Sequence, residues 1–198
     1  MSAISNVDEY KEVLKKIEDN FFNKLYILNS EEIFFLNDFT DKIKKIIPDD
    51  LKDLNQYIFF GNETKIDDLL LYAKKFPMIG DKQLLIVKSG NKIFKDITKL
   101  TSQIQSIPKS TILVICLDGV KIDNKNKKKK GLNKNAIIYD FKKIYDNKMY
   151  SWIKYLTERS GYKIDFKTCE LIRERTGNNL SKVNIELKKI SLNAFGSE

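Results

Sequence analysis

The chain has 198 residues, 42% of them hydrophobic and 32% charged, with a formal charge of +9 and no histidine. That length holds one medium domain or two small ones around a buried core, and the composition is that of a soluble globular protein. No apolar run reaches the roughly 18 residues needed to cross a membrane, and Met1 leads into a polar, charged segment without a signal-like stretch, so a cytoplasmic protein is expected.

The elements alternate along the chain. Tyr10, Val13, Leu14 and Ile17 recur at helical spacing, and Leu25 to Leu28 forms a short apolar run bounded by Asn29 and Ser30. Ser30 is expected to cap a second helix that turns Phe34, Phe35, Phe39, Ile43 and Ile46 inward before Pro48 ends it. Strand-like runs follow at Tyr57 to Phe60, Leu84 to Val87, Thr111 to Leu117 and Ala136 to Phe141, with helical patterns at Ile66 to Lys75 and Ile93 to Ile107 between them. Continuous apolar strands separated by helices predict a parallel sheet of five strands covered on both faces. After Asp146 the strand signal stops. Met149 to Ser160 reads as a helix broken by Gly161, Asp165 caps a second helix to Thr176, and Gly177-Asn178-Asn179 leads into a third from Leu180. The expected organisation is an α/β domain over residues 1–146 and a small all-α domain over 147–198.

Without histidine, Ser/His and Cys/His nucleophile systems are excluded. The carboxylate pairs Glu31-Glu32, Asp49-Asp50 and Asp67-Asp68 each fall near a helix start, where negative charge complements the helix dipole. Cys116 and Cys169 read as small core fillers, not as a disulfide or metal site. In a nucleotide-binding α/β fold a phosphate loop with glycines and a lysine would follow the first strand. This chain has Leu28-Asn29-Ser30-Glu31-Glu32-Ile33-Phe34-Phe35 there, with two glutamates that would repel phosphate. The magnesium-binding carboxylate expected after Leu84 to Val87 is replaced by Lys88-Ser89, and Asp118 reads as a turn residue before Gly119. No catalytic, cofactor-binding or metal-binding residue is assigned.

Two segments remain. Seven lysines and one aspartate between Lys121 and Lys134 hold two thirds of the net charge. Such a run is most simply a solvated loop, with Lys125, Lys127, Lys128, Lys129 and Lys130 as candidate DNA or phosphate contacts. The other segment, Phe76-Pro77-Met78-Ile79-Gly80-Asp81-Lys82-Gln83, puts bulky apolar residues on a loop, where a partner would have to cover them unless Phe76 and Met78 pack on their own domain.

These segments, in order, resemble the delta subunit of the bacterial DNA polymerase III clamp loader. The resemblance rests on Leu25 to Leu28 with Ser30-Glu31-Glu32 and Phe35-Leu36, on Phe60-Gly61-Asn62-Glu63-Thr64 with Ile66 and Leu69, and on Ala73 through Phe76-Pro77-Met78-Ile79 to Lys88. Pro108-Lys109-Ser110-Thr111-Ile112-Leu113-Val114, Trp152-Ile153, Gly161-Tyr162, Ile164, Gly177-Asn178-Asn179-Leu180 and Glu186-Leu187 continue it, so it covers nearly the whole chain beyond the first helix.

The resemblance implies an AAA+ type, P-loop NTPase-like fold with a degenerate nucleotide site and a helical lid. It implies a non-catalytic accessory subunit of the polymerase holoenzyme that binds the beta sliding clamp and opens its ring for loading onto primed DNA during replication. The implied partners are the clamp, the other loader subunits, and DNA within the assembled loader. The family's clamp-contacting apolar pair falls on Met78 and Ile79, with Phe76 and Pro77 beside them. The serine-arginine-cysteine finger of related loader subunits is absent, and Ser181-Lys182 stand where active relatives carry a nucleotide-sensing arginine. The family's C-terminal helical collar, which assembles the loader, lies beyond this sequence, so a piece that binds clamp without assembling a loader is expected. Two other readings stay open: a nucleic-acid-binding module working through Lys121 to Lys134, and a nucleotide-dependent enzyme with an atypical pocket.

Overall fold

The computed structural model describes residues 2–19, 22–122 and 136–195, with side chains as far as residue 190. Its centre is a sheet of six strands, all paired in parallel, in the order β1-β6-β2-β5-β4-β3. The strands are β1 (Ser2–Ile4), β2 (Leu25–Ser30), β3 (Gln56–Phe60), β4 (Gln83–Lys88), β5 (Thr111–Asp118) and β6 (Ile137–Phe141). The sheet therefore has one strand more than expected. β1 adds to the edge beside β6 through only three residues, of which Ile4 alone is buried, too little to register as an apolar run.

β2 and β5 sit in the middle, and their uninterrupted apolar sequences follow from burial on both faces. Tyr26, Leu28, Ile112, Val114 and Cys116 enter one core, while Leu25, Ile27, Leu113, Ile115 and Leu117 enter the other. β3 departs from this pattern. It is an edge strand, and Ile58 and Phe60 remain 44% and 53% exposed, so its apolar run does not reflect two-sided burial.

The first face is covered by α1 (Val7–Glu18) and α2 (Ile33–Ile43). Tyr10, Val13, Leu14 and Ile17 of α1 are all buried, as their spacing requires. Asn6 caps α1 by accepting the N–H of Glu9 at 2.9 Å. Two short 3-10 turns (Lys44–Ile46 and Asp49–Leu51) and α3 (Lys52–Asn55) then lead into β3. The second face is covered by α4 (Ile66–Ala73), α5 (Asn91–Lys95) and α6 (Ile97–Ser102). The single helix expected over Ile93 to Ile107 is thus broken into α5, α6 and a 3-10 turn at Ile104–Ser106.

Three further helices, α7 (Asp146–Arg159), α8 (Phe166–Thr176) and α9 (Leu180–Phe195), pack on one another. One apolar cluster continues from the first sheet face into them through Trp152, Ile153, Leu156, Cys169, Ile172, Leu180 and Val183. The expected cap of α8 is present: Asp165 accepts the N–H of Thr168 at 2.8 Å. A polar tie joins α7 to α2 and α1. Arg159 at the end of α7 donates to Asp38 of α2 from both terminal nitrogens, at 2.8 and 2.5 Å, and the Tyr10 hydroxyl donates to the same carboxylate at 2.5 Å. No described helix is long and apolar enough to cross a membrane.

Both cysteines are buried and unpaired. Burial, with Asp118 adding to it, pushes the Cys116 thiol up from 9.0 to about 12. Burial likewise pushes the Tyr139 phenol up from 10.0 to about 12 and, with the charge of Asp38, raises Tyr10 well above its ordinary value. In the folded chain these groups stay protonated at pH values where their unfolded counterparts ionise. Their contribution to stability is therefore fully present below about pH 9 and is lost as pH rises toward about 12. Denaturant midpoints measured from pH 8 to pH 11 are expected to fall; a flat profile would contradict this.

Candidate functional site: a closed strand end and an exposed apolar loop

At the carboxyl ends of the central strands, where an open α/β sheet ordinarily receives its ligand, the chain has closed the phosphate position. β2 passes into α2 through only Glu31 and Glu32. Ser30 does not cap α2 as expected. Its Oγ accepts the N–H of Glu32 at 2.9 Å, a local turn, and Glu32 occupies the cap position without a side-chain bond. Burial raises the Glu32 carboxyl, opposed by Lys143 and assisted by Glu31. The turn after β5 lies directly on Glu31: Gly119 has φ +64, donates its N–H to the Ser30 carbonyl at 3.0 Å, and a Cβ there would meet Glu31 Cγ at 2.7 Å. Asp118, expected as a turn residue, is instead the last residue of β5, paired with Ser30 of β2, and the turn begins at Gly119.

The buried Asn29 staples the same strand ends together. Its amide nitrogen donates to the Val120 carbonyl at 2.9 Å and to Asp140 at 2.7 Å, and its oxygen accepts the Val120 N–H at 2.9 Å. Lys121, Lys142, Lys143 and Lys148 surround the remaining hollow, with Lys142 paired to Asp140 and Lys148 donating to the Ser5 carbonyl. Lys125, Lys127, Lys128, Lys129 and Lys130 lie outside the described residues. Among the described residues no cluster of acidic and thiol side chains has the geometry of a metal site.

The other candidate lies at the opposite ends of the strands, in the connection from α4 to β4. Phe76 is 74% exposed, Met78 76% and Ile79 57%, and Pro77 is half-buried. The alternative that Phe76 and Met78 pack on their own domain does not hold in this structure. Phe76, Pro77, Gly80 and Asp81 form one wall of a shallow hollow whose other wall is Ile107, Pro108, Lys109 and Ser110.

The base of the loop is held firmly although its tip is bare. Gln83, 2% exposed, donates its amide to the Lys75 carbonyl and, at 2.7 Å, to the Thr111 hydroxyl. Asn55 at the end of α3, 1% exposed, donates to the Ile79 carbonyl at 2.5 Å. Gly80, with φ +77, turns the chain back toward β4 over Leu51, whose Cδ1 would lie 3.1 Å from any Cβ placed there. Neither amide's role was anticipated; the one signal in the sequence is that Gln83 stands immediately before the apolar run of β4 and Asn55 two residues before that of β3.

A family model described as "DNA polymerase III, delta subunit" matches residues 26–142. The DNA polymerase III subunit delta of Bacillus subtilis (strain 168) is 24% identical over 189 residues, which span 90% of this chain and 54% of that protein. The chain therefore spans about half the length of this curated relative. Among solved structures, the Bacillus subtilis DNA clamp loader delta protein superposes with a TM-score of 0.77 at 24% identity, over 95% of this chain and 58% of that one. A Thermotoga maritima RuvB variant gives a TM-score of 0.50 at 13% identity, over 93% of this chain and 63% of that one.

Proposed function

The chain belongs to the DNA polymerase III delta-subunit family, with an α/β fold of the AAA+ P-loop type, and from that footing we propose that it is a non-catalytic clamp-binding subunit. Met78 and Ile79, with Phe76 and Pro77 beside them, enter an apolar pocket on the beta sliding clamp. The bound subunit holds the ring open at one subunit interface while primed DNA is loaded, in the cytoplasm and together with the other loader subunits. Residues 1–146 form the AAA+ like, clamp-binding unit of this reading and residues 147–198 its helical lid.

The observation that carries the proposal is the exposure of Phe76, Met78 and Ile79 on a loop whose two ends are fixed by buried amides. Apolar side chains lose solvent contact only when a partner covers them, and a fixed loop pays less ordering entropy on being covered. Titration calorimetry of the chain against its own sliding clamp is expected to show stoichiometric binding with a negative heat-capacity change. Absence of binding would overturn the proposal.

The strand-end geometry supports the non-catalytic part. Glu31 and Glu32 stand in the place of the phosphate loop, between β2 and α2, and Gly119 leaves no room between the β5 turn and Glu31. A ligand that bound the folded chain would raise its unfolding midpoint. Magnesium and ATP at millimolar concentration are expected to leave that midpoint unchanged, and a concentration-dependent rise would count against a subunit without its own nucleotide.

A further inference from the structure

Asn55 is a polar side chain in a position that packing alone would fill with an apolar one. It is 1% exposed, its Nδ2 makes a hydrogen bond to the Ile79 carbonyl at 2.5 Å, and its Oδ1 is buried without a partner. Leaving a buried acceptor unpaired costs more than a typical hydrogen bond returns. Ile79 itself is 57% exposed, so water would take over its carbonyl if Asn55 let go. As a contributor to stability alone, the residue is a net cost.

What the bond does is fix the tip of the loop. The Ile79 carbonyl stands at the peptide just before Gly80, where φ +77 reverses the chain, so holding that carbonyl sets the direction in which Met78 and Ile79 leave the surface. Gln83 already anchors the beginning of the loop through the Lys75 carbonyl, and Asn55 supplies the second point. We infer that Asn55 is a positioning residue for the Met78–Ile79 tip: it keeps the loop in its clamp-competent form before the clamp arrives. The inference rests on the clamp-binding reading of this loop.

A protein whose competent form is only partly populated binds more slowly in proportion to that population. Asn55→Leu keeps the heavy-atom count and branching of the side chain with somewhat more bulk, removes the donor and removes the orphaned oxygen. Its unfolding midpoint is expected to stay level or rise, while amide hydrogen exchange at Ile79, Gly80 and Asp81 accelerates. Association with the sliding clamp should slow by up to about fivefold, the value of one net hydrogen bond, with dissociation little changed. The joint substitution of Met78 and Ile79 by alanine should instead speed dissociation, because it removes contacts made only in the complex. If Asn55→Leu does not fold, Asn55→Ala removes the same bond without steric demand and is read in the same way.

Unchanged association and unchanged exchange in a variant whose wild-type parent binds clamp would overturn the positioning role and leave the loop reading standing. A lowered midpoint with faster exchange spread through β3 and β4 would also overturn it, by making Asn55 a structural residue. Failure of the wild-type chain to bind, or undiminished binding after loss of Met78 and Ile79, would bring down the loop reading and this inference together.

Discussion

Replacing Met78 and Ile79 together by alanine is expected to weaken binding to the sliding clamp by about 30- to 700-fold while leaving the unfolding midpoint where it is. Full burial of one such side chain supplies roughly 1.5 to 3 kcal/mol. Met78 and Ile79 still have 76% and 57% of their surface to lose, so the pair together supplies roughly 2 to 4 kcal/mol, at tenfold in affinity for each 1.4 kcal/mol. The fold should not register the change, because neither side chain belongs to either core. Phe76, at 74% exposure, should add to the loss when it too is truncated. Binding of the double variant within a factor of three of wild type would remove these residues from the site, and a fall in the unfolding midpoint would mean that the loop supports the fold.

How far the fold could be read in advance depended on whether side-chain pattern and backbone agreed. β2 and β5 were legible because residues 25–28 and 112–117 are apolar throughout in strands buried on both faces, and no helix of that length was a plausible rival. Ile93, Ile97, Leu100 and Ile104 also recur as a helix would have them, and all four are buried on the sheet. Yet the backbone breaks at Asp96 and Gln103, since periodicity reports which face is covered and not whether the hydrogen-bond ladder is continuous. β1 was invisible because it is held by its neighbour β6, not by its own composition. At the loop the contrast is sharper. The apolar tip stands out in any reading of residues 76–79, whereas Asn55 and Gln83 look like ordinary polar residues until the fold brings them under the loop. Their roles depend on partners 24 and 28 residues away, Ile79 for Asn55 and Thr111 for Gln83, which local pattern does not encode.

The largest loss of stability is expected at Trp152. The side chain is fully buried in α7, and its ring lies 5.4 Å from Tyr10 of α1, 5.1 Å from Phe35 of α2 and 6.1 Å from Tyr155. It is therefore the aromatic centre through which the three C-terminal helices meet the sheet-covering pair. Trp152→Ala removes the indole and leaves a cavity walled by rings that belong to three different helices and cannot close together, at a cost of about 3 to 5 kcal/mol. For a chain of this size that lowers the unfolding midpoint by roughly 6 to 20 °C. Trp152→Phe should cost much less: it keeps an aromatic ring in the cluster and deletes the indole N–H, which is buried without a partner. The second tie, from Arg159 to Asp38, survives both changes and should keep α7 attached to α2. Trp152→Ala is thus expected to unfold in a single transition at lower temperature; two separated transitions would show that the indole alone couples α7–α9 to the sheet.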